Sequence, residues 1–477
     1  MLRLTVTKAA PGMVVAMPVM HPQIPGHVLL KPGAELDELA ITRLRELGVR
    51  DLVIEYPPTA FLMRYAAPQL ALEQAKLAQA VGDQLDAMTR GLHASFEFTT
   101  FLEGVRALIQ RLVDDPAAAI FMHDIVDPRS PIARHSFNVG FLSLLMGLRL
   151  DGYLVASRPR ISSKRAGNIE NLGLGALLHD IGMLRLSPEV LQRWELGRDE
   201  SDPGYQKHAG LGFQFVRGKI APTAAAAVLH HHQRIDGTGF PKKQRGYGLP
   251  SPLRGTEIHI FARIIAVADV FDRFRDAPPA PQAPPSAAAS PSPDQSPPAP
   301  VPTVRALKHT LQLVRDQKLD PIVFKALLSV VPAFSPGSIL TLNSGRRCIV
   351  TAWEPSHPCE PTVCQLSAAA EEAIRAGGER LKRSSDIPLG EPIDLAGHAD
   401  LRVQAIDDTD VAADLFTPRY PGEFDLRMLY PGPLSEMDLP PAPMPTLFPP
   451  PAMPQSPSPA AQPRPAPIDA RRHRRAG

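Results

Sequence analysis

The sequence predicts a mainly helical protein, with a small α/β module at its N-terminal end, a small β-rich cap towards its C-terminal end and disordered Pro-rich segments. Three observations lead there. Apolar residues recur at three-, four- and seven-residue spacing through the middle of the chain, as in Leu70, Leu77, Val81, Leu85 and Met88. Short β-rich runs are confined to the two flanks, between Pro-Gly pairs such as Pro11-Gly12 and Pro32-Gly33. Much of the chain's 54 prolines fall in stretches with too few large apolar residues to bury a core.

Taken in order, residues 1–57 read as the α/β module. Short runs at 13–17 and 27–30 precede a helix at about 38–47, stopped by Gly48, and a closing strand at 51–55. Residues 58–120 read as long helices leading into a helical core at 121–330. Within that core Phe137, Val139, Leu142, Leu145 and Leu148 mark one apolar helix. Leu172, Leu174, Leu177, Leu178 and Ile181 mark a second, and Ile264, Ile265, Val267, Val270 and Phe271 a third. The core is interrupted at 276–302 by Pro, Ala and Ser, a linker composition, and helical pattern resumes at 304–331. A hairpin about Asn343-Ser344-Gly345 opens the β-rich cap at 331–416, and 417–477 reads as a disordered Pro-rich tail.

Composition excludes several classes. Lys plus Arg at 51 nearly balances Asp plus Glu at 49, so no global field favours polymeric nucleic acid or an anionic membrane. Basic residues at 471–475 read as a solubilising terminus. Cys348, Cys359 and Cys364 lack CxxC spacing and read as reduced thiols. Met1-Leu2-Arg3-Leu4-Thr5 lacks a signal-peptide core, and no window approaches the roughly 18 apolar residues of a membrane span. A cytoplasmic, soluble chain is expected.

The chemistry is concentrated in seven groups: His135, His179, Asp180, His208, His231, His232 and Asp269. Imidazole and carboxylate are the ligands of borderline divalent metals. Singly, each has a plainer reading: His135 at a helix start and His208 before Gly210 read as caps. Asp180 after an apolar run and Asp269 in mid-helix are different, because an unpaired buried carboxylate is costly. Adjacent His231 and His232 on a helix diverge by about 100°, so two metals, or a metal and a substrate group, can use both. His230 completes a triple and is assigned no role.

The ordered series resembles the HD-GYP phosphodiesterases of the HD phosphohydrolase superfamily, over roughly residues 121–350. The matching motifs are His135, His179-Asp180-Ile181-Gly182, His208-Ala209-Gly210, His231-His232-Gln233-Arg234-Ile235-Asp236-Gly237-Thr238-Gly239-Phe240-Pro241, and residues 262–272 around Asp269. A Phe334-Ser335-Pro336-Gly337 hairpin also matches. The resemblance implies an all-helical HD-type catalytic core that hydrolyses cyclic di-GMP to pGpG or GMP. Asp180 would bridge two divalent ions, iron or manganese by family habit, and the other six groups would complete their shells. With ions roughly 3.5–4 Å apart, a bridging water becomes the hydroxide that attacks phosphorus. Asp180 and His179 are thereby catalytic, and Arg234, Asp236, Gly237, Gly239, Phe240, Pro241 and Arg273 are the implied substrate contacts. GGDEF-type signalling proteins are implied partners, and a homodimer is left open.

The match breaks at four places. Met183 stands where the family has a phosphate-contacting Lys, with Arg185 as the nearest substitute. Gln233 replaces a Glu, and Phe240 replaces the signature Tyr, losing about 1 kcal/mol of hydrogen bonding. After Arg273-Phe274-Arg275 the family's basic, aromatic segment dissolves into the Pro-rich linker. Pro131 stands where three-metal members carry Glu, hence the expectation of two ions. These departures keep two alternatives in view: a catalytically weak or inactive signalling module, and a phosphohydrolase of another nucleotide.

Overall fold

The computed structural model describes residues 1–418, apart from 23, 25–26, 66–67, 90–97, 115–130, 243–250, 277–300, 383, 385–386 and 388. The Pro-rich linker, the tail and the basic 471–475 end therefore fall wholly or mostly outside the described residues.

Helices dominate, and each begins or ends for a local reason. After a short helix α1 (Glu38–Glu46) come α2 (Pro68–Thr89) and α3 (Phe98–Asp114), then α4 (Pro131–Arg149). Short pieces α5 (Asp151–Ala156) and α6 (Ser163–Ala166) lead to α7 (Glu170–Leu177). Next are α8 (Pro188–Gly197), α9 (Pro203–Val216), α10 (Pro222–His230) and α11 (Ile260–Arg275). Beyond the linker lie α12 (Thr303–Arg315) and α13 (Pro321–Val330), and the cap carries α14 (Ala368–Ala376) and α15 (Gly378–Lys382). Proline supplies the first turn of α9 and α13, where its missing N–H costs nothing. Asp202 and Asp320 accept from the backbone amides that follow. The helical pattern expected at 304–331 forms two helices, separated where Gln317 takes φ +57°.

Buried faces of α4, α7, α10, α11, α12 and α13 meet in the main core, with Phe137, Phe261, Phe271 and Phe324 fully enclosed. The faces read from the sequence are the ones buried, except that Leu85 and Met88 lie where side chains are not described and Leu148 is half-buried. Val301 N–H donates to the Arg275 carbonyl at 3.2 Å, so the chain leaves and re-enters the linker at one place beside α11.

The flanks form strands. β1 (Leu2–Thr5) pairs antiparallel with β4 (Asp51–Ile54), and β2 (Val19–Met20) with β3 (Val28–Leu30). The run at 13–17 contributes only isolated bridges, Val14 to Glu35 and Val15 to Ile54, in place of the expected strand. In the cap β5 (Ile339–Leu342), β6 (Arg347–Ala352), β7 (Thr362–Gln365), β8 (Pro392–Asp394), β9 (Val403–Ile406) and β10 (Thr409–Asp410) form one antiparallel sheet ordered β10-β9-β5-β6-β7-β8. The β5–β6 turn is the expected hairpin, with Gly345 at φ +79°.

The two flanking units share one core. Leu2, Leu4 and Ile54 pack with Ile339, Ile349 and Leu366. Arg3 N–H donates to the Gly337 carbonyl at 2.9 Å. Nothing in either local pattern pointed to that union.

Candidate metal centre

Five elements bring the seven expected groups together. His135 lies in the second turn of α4, and Asp269 lies in mid-α11. His179 and Asp180 occupy the break between the end of α7 and a 3-10 turn at Ile181–Arg185. His208 is in the middle of α9, not at a helix start, because Pro203 and the Asp202 cap begin that helix five residues earlier. α10 ends at His230, so His231 and His232 sit past the helix body. Their rings do not diverge: the centroids are 4.2 Å apart at 47°. His230 is outside both ligand groups.

Three of the imidazoles are held in one way. Nδ1 of His179 contacts the Ala176 carbonyl at 2.7 Å, Nδ1 of His208 that of Tyr205 at 2.6 Å, and Nδ1 of His231 that of Val228 at 2.7 Å. A carbonyl only accepts, so each Nδ1 carries a proton and each ring turns its Nε2 to the centre. The Nε2 atoms of His208 and His231 face each other at 3.3 Å, each also 3.4 Å from Asp180 Oδ1. Two imidazole nitrogens and a carboxylate oxygen converge on one point, an arrangement that a cation would satisfy. Asp180 Oδ1, Asp269 Oδ2 and His232 Nδ1 are buried without a hydrogen-bond partner.

His135 differs. Its Nδ1 meets Asp272 Oδ2 at 2.7 Å and its Nε2 meets Asp269 Oδ1 at 2.9 Å, while Asn138 Nδ2 donates to Asp272 Oδ1 at 2.8 Å. Burial lowers this imidazole's pKa, but the two carboxylates outweigh that and raise it to about 9. Burial pulls His208 down to about 4 and holds His232 well below the ordinary value. Asp180 and Asp269 are pushed up by burial, yet the Arg273 guanidinium and the surrounding imidazoles hold both well below the usual carboxylate range.

The ligand atoms fall into two groups: Asp180, His208, His231 and His232 in one, and His135, His179 and Asp269 in the other. Asp180 faces both. Its Oδ1 serves the first, while its Oδ2 lies 3.6 Å from His179 Nε2 and 3.8 Å from His135 Nε2. The donor set, all imidazole nitrogen and carboxylate oxygen, suits a borderline divalent ion.

The residues read as substrate contacts are placed as follows. Phe240 stacks on His232, centroids 4.5 Å apart at 22°. Arg234 Nη2 donates to Glu200 Oε2 at 3.0 Å, and Asp236 Oδ1 accepts from the Thr238 amide and hydroxyl. Gly237 has φ +81°, and a Cβ on Gly239 would come within 2.3 Å of the His232 carbonyl. Gln233 Nε2 donates to the Pro241 carbonyl at 2.5 Å, which ties the loop's two ends together. Arg273 is placed otherwise than expected. Its guanidinium is committed to Asp180, Asp269 and Tyr205. Arg185, the substitute for the missing Lys, lies over the Phe215 ring at 5.1 Å. Met183 is buried with Trp194, Tyr205, Ala209 and Phe240. Asp272, Asn138 and Tyr205 were not singled out from the sequence. Asp272 carried a signal, being three residues after Asp269 on the same helix face.

Residues 132–273 match the HD domain family, a span enclosing every one of the seven groups. Among curated proteins the chain is 34% identical over 151 residues to the 3'3'-cGAMP-specific phosphodiesterase 3 of Vibrio cholerae, covering 31% of this chain and 28% of that one. It is 32% identical to the cyclic di-GMP phosphodiesterase response regulator RpfG of Xanthomonas campestris, over 26% of this chain and 31% of that one. It is 27% identical to the cyclic di-GMP phosphodiesterase PA4108 of Pseudomonas aeruginosa, over 38% of each. The matches thus span less than two fifths of these relatives' lengths. Among the described residues no helix is long and apolar enough to cross a membrane.

Proposed function

We propose that this chain, whose residues 132–273 are an HD domain, is a divergent HD-GYP phosphodiesterase that hydrolyses cyclic di-GMP with the help of two divalent ions. The observation that carries the reading is the pair of ligand groups sharing Asp180, one carboxylate oxygen turned to each. Three relatives whose names give a cyclic dinucleotide phosphodiesterase activity support the reaction class.

Bound ions would supply Lewis acidity toward phosphoryl oxygen and lower the pKa of water. The chain's own part is to hold the ligands still. His179, His208 and His231 are oriented by carbonyls three residues back, and His135 by Asp272. Asp180 and Asp269 stay ionised despite burial, so both remain available as anionic ligands. The loop from Arg234 to Pro241, with Phe240 against His232, borders the centre and is the assigned substrate side.

One observation favours the alternative of a weak or inactive signalling member: Met183 is buried in an apolar cluster, so it offers no charge to a phosphate. The deciding experiment is cyclic di-GMP turnover by anaerobically purified protein reconstituted with iron or manganese, with metal content read on the same sample. Turnover that disappears in Asp180→Ala supports the phosphodiesterase. Full metal occupancy without turnover of cyclic di-GMP rejects it in favour of another nucleotide or a binding role, which a nucleotide panel then separates.

A further inference from the structure

The two ligand groups are not equivalent, and Arg273 is the reason. It lies on α11 one turn beyond Asp269. Its Nε donates to Asp269 Oδ1, its Nη2 to Asp180 Oδ2 at 2.8 Å, and its Nη1 to the Tyr205 hydroxyl at 2.7 Å. Those two carboxylate oxygens are the ones that face His135 and His179. In the other group Asp180 Oδ1 has no hydrogen-bond partner. The guanidinium thus bonds the carboxylate oxygens turned to one cluster and leaves the Asp180 oxygen turned to the other without a hydrogen bond.

The guanidinium is also shelved. Its carbon lies 5.1 Å from the Trp194 ring centroid and 5.8 Å from that of Tyr205, two rings stacked 3.8 Å apart. The side chain is 12% exposed. Arginine does not deprotonate in proteins, so its charge leaves the cluster only when the side chain moves. A divalent ion entering beside it meets a fixed positive charge and two oxygens that already accept hydrogen bonds from it.

We propose that Arg273 is a cationic latch on one half of the centre, so that the chain loads its ions in sequence. The first ion is taken at Asp180 Oδ1, His208, His231 and His232. The second, at His135, His179 and Asp269, enters only after the guanidinium leaves Asp180 Oδ2 and Asp269 Oδ1. Divalent-metal supply then sets whether the centre is half or fully loaded. This deepens the metal-centre reading above and is independent of which nucleotide, if any, is cleaved.

The test is a Mn2+ titration of the full chain, stripped with chelator and followed by equilibrium dialysis and electron paramagnetic resonance, with no substrate present. Wild type is expected to bind two ions with affinities separated by at least about tenfold, the spin-coupled pair signal emerging only at the higher range. Arg273→Ala and Arg273→Gln are expected to tighten the weaker site by at least about tenfold, the scale on which residues around ligands act, and Arg273→Lys to fall between. Wild type that binds two ions with indistinguishable affinity, or none, overturns the proposal without recourse to any variant. So does an unchanged weaker site in folded Arg273→Ala and Arg273→Gln. Because turnover is not read, a failure here is distinct from a failure of the phosphodiesterase assignment.

Discussion

Met183 and Asp272 show how differently single residues bear on this centre. Met183 looks from the sequence like a lost phosphate contact, which makes Met183→Lys the natural repair. Its surroundings argue otherwise: Trp194, Tyr205 and Phe240 enclose it, leaving it 3% exposed. An ammonium introduced there must be stripped of water without a partner, so Met183→Lys should destabilise by about 2–4 kcal/mol, and a drop in melting temperature would register it. Turnover gained with no loss of stability would mean the lysine escapes the cluster. Asp272 touches no proposed ion, yet it holds His135 and Asn138 at once. Asp272→Ala should weaken divalent-ion affinity by about 10–100-fold with the helix intact, measured by dialysis and circular dichroism.

At the scale of elements, the centre is built where helices stop. α7 ends at Leu177 and α10 at His230, and the chain beyond each end delivers a histidine whose Nδ1 returns to the carbonyl three residues earlier. Apolar periodicity revealed the helices but not these ends. That is why adjacent His231 and His232 were expected to diverge, whereas at the end of α10 their ring centroids lie 4.2 Å apart. The 3-10 turn after Asp180 is pressed against α9: a Cβ on Gly182 would lie 2.0 Å from the His208 carbonyl and 2.5 Å from the Gly212 amide. Gly182→Ala should therefore force the two ligand-bearing segments apart. A cost of about 2–3 kcal/mol and a weakened metal affinity are expected, read by denaturant titration and dialysis together. Unaltered affinity would show that the close approach is a packing feature alone.

Across the whole molecule, two devices hold distant parts of the chain in place. Arg263 on α11 donates to Asp320 Oδ2 at 2.9 Å, and the Tyr153 hydroxyl of α5 donates to the same oxygen at 2.8 Å. Asp320 Oδ1 meanwhile caps α13. Asp320→Ala would leave a buried guanidinium without its counter-charge and should cost about 3–5 kcal/mol. Thermal unfolding would register the loss, and a change below 1 kcal/mol would show that water compensates Arg263. The second device is the core shared by the N-terminal module and the C-terminal sheet, joined by the Arg3–Gly337 backbone bond and a Lys8–Asp408 ion pair at 2.7 Å.

The amino-acid order alone determined the helical class, the faces that would be buried, the β5–β6 hairpin and the seven groups at the centre. Each of these is written along the chain: periodicity for the faces, turn chemistry at Gly345, and for the seven groups an ordered series of histidines and aspartates that resembles a known family. Tertiary structure decided what depends on distance in space. It divided the seven groups into two clusters across Asp180 and enclosed Met183. It turned Arg273 inward onto the ligands and folded the two ends of the chain into one core. Side-chain direction and long-range contact arise from how helices pack, and no local pattern encodes which oxygen of Asp180 meets His208 and which meets Arg273.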